Sequence, residues 1–208
     1  MLNLPMVKIQ TPQDGVIKFR CHWTQGPLPS EILPLVHELN RWRQQLFDAK
    51  YINAYPDGIG YGNISLRLKD TDNFLITGSG TGGISHLTPE HFTVVTASDI
   101  ASNSVTCIGP IQASSESMTH AILFQASPSI NAVVHTHNLA LWKKYLHKAP
   151  TTNVNALYGT PEMARETQNL FKGNQNLTSK FFIMGGHEEG IVTFGLTLES
   201  AINLLFSL

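Results

Sequence analysis

Cysteine is nearly absent. Only Cys21 and Cys107 occur among 208 residues, far apart and without a C-x-x-C pair, which argues against a disulfide framework and fits a reducing compartment. Charge is also scarce: 14 Lys and Arg stand against 15 Asp and Glu, the formal net charge is -1, and no basic run occurs. A nucleic-acid partner is thereby disfavoured, whereas a small phosphorylated ligand is not. No apolar stretch approaches the roughly 20 residues of a membrane span. Residues Met1 to Lys8 lack the basic, apolar, small-residue order of a signal peptide. The expectation is a cytoplasmic protein with neither membrane nor nucleic-acid partners.

Hydrophobic residues make up 42% of the chain, enough to fill one core without a staple. Residues 1–29 carry Pro5, Pro12, Gly15, Gly26, Pro27 and Pro29, with a possible strand at Val16–Trp23. They read as an N-terminal extension packed on a domain spanning 30–208. Ser30 offers an N-cap for a helix whose apolar stripe, Ile32, Leu35, Val36, Leu39, Trp42 and Leu46, runs to about Lys50. Strands are expected at Asn63–Leu68, Asp72–Thr77, His91–Thr96, Ser104–Ile108, Phe181–Met184 and Ile191–Phe194. Helices are expected at 115–127, Leu139–His147, after the Thr160-Pro161 start, and at Thr197–Phe206. The fold class is α/β, with a mixed or mainly antiparallel sheet layered against helices.

Nine histidines are many for this length. His135 and His137 follow Ala132-Val133-Val134, a short buried strand, and side chains two apart on a strand share a face. They can bind one ion. Glu116 sits at the start of the helix that precedes this strand, beside the hydroxyls of Ser114 and Ser115. His187 lies in Gly185-Gly186-His187-Glu188-Glu189-Gly190, between two strands, where missing side chains let backbone and ligand come close. Spacing alone leaves it open between an ordinary turn histidine and a third ligand. Three imidazoles would leave zinc an open fourth position, as catalysis requires.

Gly78 to Gly83 satisfies G-x-G-x-x-G after a predicted strand. Too few residues separate it from the next strand for a crossover helix, so a dinucleotide site is not expected there. A plain hairpin loop and an anion-binding nest of backbone N–H groups both stay open.

In order, Gly62-Asn63-Ile64-Ser65, Ile76-Thr77-Gly78-Ser79-Gly80, Ser114-Ser115-Glu116, His135-Thr136-His137 and the late His187 resemble the class II aldolase/adducin family from about Glu31 onward. The resemblance implies a central, mainly antiparallel sheet between helices and a homotetramer with active sites at subunit interfaces. It implies zinc, or another divalent ion, on His135, His137 and His187. Glu116 would move protons, with Tyr158 as a further catalytic candidate that also reads as a packed tyrosine. Asn63, Ser79, Gly80, Ser114 and Ser115 would hold the substrate phosphate. The implied activity is a metal-dependent lyase acting on a small ketose phosphate or related sugar through a metal-stabilised enediolate. A sugar-phosphate 4-epimerase or dehydratase, and a non-catalytic adducin-like module, are the alternatives. In that family Gly follows the late His, whereas here Glu188-Glu189 adds negative charge, which opens the substrate class to unphosphorylated sugars.

Overall fold

The computed structural model describes residues 16–69, 71–172 and 177–208; the expectations for residues 1–15 lie outside them. The described strands are β1 (Arg20–Gln25), β2 (Asn53–Ala54), β3 (Gly60–Tyr61), β4 (Asn63–Arg67), β5 (Phe74–Thr77), β6 (Phe92–Asp99), β7 (Ser104–Gly109), β8 (Ala132–His137), β9 (Phe181–Ile183) and β10 (Gly190–Gly195). The helices are α1 (Leu33–Asp48), α2 (Ser117–Ala126), α3 (Leu139–Tyr145), α4 (Pro161–Phe171) and α5 (Leu198–Ser207).

Eight strands form one sheet in the order β1-β7-β6-β5-β4-β8-β10-β9, and β2 and β3 pair as a separate ribbon. Every neighbour in the large sheet runs antiparallel except β1 on β7. Helices cover both faces. On one, Met118, Ile122 and Met163 of α2 and α4 pack over Ile76, Val133 and Val192. On the other, Val36, Leu39 and Ile202 of α1 and α5 pack over Ile64, Val134 and Ile191. Coverage of both faces explains why β4 is buried from Asn63 to Leu66 and β8 throughout. The lead-in strand joins the sheet at its edge, where Cys21 Sγ approaches Cys107 Sγ to 3.7 Å and both remain free thiols.

Two helix starts differ from expectation. Ser30 opens a 3-10 turn, Ser30–Ile32, and α1 begins after it with Pro34 in its first turn and no side-chain cap. Glu116, expected inside the first turn of its helix, is the N-cap residue of α2. Thr160 does cap α4, its hydroxyl accepting from Met163 N. No helix among the described residues is long and apolar enough to cross a membrane.

Candidate metal centre

Alternation along β8 puts Val133, His135 and His137 on the α2 face, and Ala132, Val134 and Thr136 on the other. The antiparallel register sets Asn63 of β4 opposite His135 and Gly190 of β10 opposite His137. The turn before β10 therefore ends beside His137, and His187 is in that turn. Its backbone is fixed by His187 N donating to Met184 O at 3.1 Å and Gly190 N donating to His187 O at 2.9 Å. The paired glycines serve backbone packing: a Cβ at Gly186 would overlap the Ala156 carbonyl, and one at Gly185 the Thr152 carbonyl. The close approach they allow is to these two carbonyls, where the sequence alone suggests one to a ligand.

The candidate ligand atoms of His135, His137 and His187 all lie within 4.8 Å of one another, and all three residues are buried. Ring centroids are 5.0, 5.1 and 4.6 Å apart. Burial, then the nearby His187 and His120, hold the His135 pKa well below its ordinary value, so the ring is neutral at pH 7. Its Nδ1 is 3.2 Å from the Asn63 amide, while His135 Nε2 and Asn63 Oδ1 are buried with no hydrogen-bond partner among the described residues. The two amide atoms are alike in shape, and exchanging them makes Oδ1 the acceptor for a protonated Nδ1. Nε2 then presents a lone pair to a cation, so the site fits a divalent ion bound through imidazole nitrogens.

The surroundings complete the site. His137 Nδ1 is 2.6 Å from the Tyr55 hydroxyl, and its ring stacks on Tyr61 at 5.1 Å. Tyr158 stacks on His187 at 4.7 Å, and Glu116 Oε1 lies 3.8 Å from His187 Nδ1. Glu116 Oε2 accepts from Thr119 Oγ1 at 3.0 Å. Asn63, Gly80, Ser114, Ser115, Glu116, Tyr158 and the three histidines line one cavity with Tyr61 and further glycines. Ser79 is outside its wall, and its N–H donates to Gln112 O at 2.9 Å.

The glycine-rich loop joins β5 to an antiparallel β6, with one 3-10 turn, Pro89–His91, between them. It is held from behind by Arg43 of α1, whose Nη2 donates to Thr81 O at 3.1 Å and Gly82 O at 2.8 Å while Nη1 donates to Ser85 O at 3.3 Å. Arg43 is 1% exposed. Burial lowers its pKa to about 10, so it stays cationic at neutral pH. Sequence reading missed this cation, together with Tyr55 and Tyr61 as neighbours of the histidines, and took Glu189 only as added negative charge near the substrate.

The family model described as the Class II Aldolase and Adducin N-terminal domain matches residues 56–208. The chain belongs to that family. Among solved structures, an L-fuculose 1-phosphate aldolase is similar at 19% identity and a TM-score of 0.63, covering 86% of this chain and 82% of its own. YgbL from Klebsiella pneumoniae, described as a candidate aldolase/epimerase/decarboxylase, is 22% identical with a TM-score of 0.63, covering 84% of each chain. A sugar-phosphate aldolase from Thermotoga maritima is 16% identical with a TM-score of 0.63, covering 86% of this chain and 91% of its own. The shared feature at these identities is the fold.

Proposed function

We propose that this protein is a metal-dependent lyase of the aldolase type, cleaving or forming a carbon–carbon bond in a small ketose phosphate or related sugar. The observation that carries the reading is the convergence of three buried imidazoles beside the Glu116 carboxylate in one cavity. His135, His137 and His187 would hold zinc or another divalent cation. When bound, such an ion supplies Lewis-acid polarisation of a substrate carbonyl and stabilises negative charge developing on its oxygen.

The remaining chemistry belongs to side chains. Glu116 Oε1 takes the proton of the substrate hydroxyl whose loss starts bond cleavage, with Thr119 orienting the other carboxylate oxygen. The Tyr158 hydroxyl, in the same cavity, donates the proton taken up by the fragment that the cleavage releases. Asn63, Ser79, Gly80, Ser114 and Ser115 grip the anionic end of the substrate. Asn63 serves His135 as well. A homotetramer with sites at subunit interfaces is part of the reading through the family, and sizing in solution checks it.

The test is retro-aldol release of dihydroxyacetone phosphate, screened over ketose phosphates. Wild type releases it, and Glu116→Gln does so about 10²- to 10⁴-fold more slowly with its metal retained. YgbL's name includes epimerase among its activities, which favours a second reading: an epimerase, or the dehydratase that the family resemblance also implies, using the same residues. Recovery of an epimer or a dehydrated product, with no three-carbon fragment, decides for it.

A further inference from the structure

We infer that Tyr55 and Glu189 are positioning residues that hold His137 in the tautomer able to ligate a metal. The inference rests on the metal-site reading above. Tyr55 Oη lies 2.6 Å from His137 Nδ1 and donates to Glu189 Oε2 at 3.0 Å. A phenol has one proton, and a carboxylate only accepts. With that proton given to Glu189, the Tyr55 oxygen must accept from the imidazole, which puts the ring proton on Nδ1 and the lone pair on Nε2. The direct separation of His137 Nδ1 from Glu189 Oε2 is 3.9 Å, beyond hydrogen-bond reach, so the phenol is the bridge. Carboxylates and other acceptors behind a ligating histidine commonly fix its orientation and raise its basicity.

Local chain geometry delivers both partners. Glu189 precedes Gly190, which is paired with His137 across β10 and β8, and Asn138 N donates to Glu189 O at 3.0 Å. The turn is thus tied to the end of β8. Tyr55 stands at the turn of the β2–β3 ribbon, where its N–H donates to Ile59 O at 2.9 Å, and its ring packs 4.7 Å from Tyr61, which itself stacks on His137. Glu189 has φ +69°, in the left-handed region that glycine adopts without strain. A glutamate held there, with its carboxylate returned to the metal ligand's phenol, ties an unfavourable backbone state to a side-chain task. Glu188, by contrast, is exposed.

The experiment is zinc binding to the metal-free full chain in competition with a chelator, alongside nitrogen-15 NMR of the zinc-loaded imidazoles. Tyr55→Phe keeps the ring and weakens zinc binding about 10- to 100-fold. Glu189→Gly weakens it comparably, while its metal-free form unfolds within a few degrees of wild type because the backbone strain is gone. The double variant is no weaker than the weaker single one, since both act through one chain of hydrogen bonds. In zinc-loaded wild type the His137 proton resides on Nδ1. Zinc affinity unchanged in either single variant, losses that multiply in the double variant, or a parallel collapse of metal-free stability overturns the inference. Wild type that binds no zinc or other divalent ion overturns the metal-site reading itself.

Discussion

His120 carries no assigned chemistry, yet its burial bears on how the protein tolerates acid. It is fully buried, with Nδ1 2.6 Å from Ser65 Oγ, and burial lowers its pKa from 6.5 to about 3. Below pH 6.5 the unfolded chain therefore takes up a proton that the folded chain refuses, and stability falls with falling pH, by up to about 1.4 kcal/mol per unit from such a group. Metal-free His135 acts in the same direction. Urea unfolding of metal-free His120→Gln between pH 6.5 and 4.5 should show a shallower slope than wild type, and parallel lines would contradict this. Tyr158 offers a second check at this scale. Its ring lies between His187 and the Lys18 ammonium, 3.4 Å from the ring centroid, so Tyr158→Phe keeps the packing and removes only the hydroxyl. Turnover should drop at least about 10²-fold with metal content unchanged.

At the scale of elements, the link between α1 and the glycine-rich loop is the part that sequence reading came close to finding. Val36, Leu39, Arg43 and Leu46 follow at intervals of three and four and are the buried positions of α1, so Arg43 sits on the apolar stripe itself. A cation on that stripe needs acceptors, and the loop carbonyls provide them. The sequence reading took the stripe as core and the loop as a hairpin or anion nest, because nothing local says where a guanidinium ends. Arg43→Met should leave those carbonyls unsatisfied and cost about 1–3 kcal/mol in chemical unfolding. It should also raise KM for a phosphorylated substrate more than it lowers kcat. A KM unchanged by the substitution would separate the loop from substrate binding. Strands and helices were legible where period and punctuation agree, as at Thr160-Pro161 and in the β4–β5 hairpin. The starts of α1 and α2 were not, because Ser30 opens a 3-10 turn and Glu116 stands at the N-cap position.

For the whole molecule, the eight-stranded sheet brings residues from three distant stretches to one end of β8. The His135 and His137 pair was readable from strand alternation alone, since parity needs no tertiary information. His187 was only half readable, because its placement depends on β10 pairing with β8: its glycine-flanked turn left it a candidate, and the family likeness raised it to a ligand. Tyr55 and Glu189 were less readable still, each lying in a turn whose direction is set by that same pairing. A centre assembled from such separate parts couples ion binding to folding: an ion at 100 times its Kd adds about 2.7 kcal/mol. For a chain of this size that raises the unfolding temperature by roughly 5–10 °C. The most direct measurement is thus calorimetric titration of metal-free protein with zinc and other divalent ions, repeated on His187→Ala. The account predicts one ion per chain and the accompanying thermal shift in wild type, with both lost in the variant. Wild type that takes up no ion at any pH, or His187→Ala that binds as tightly as wild type, would contradict it.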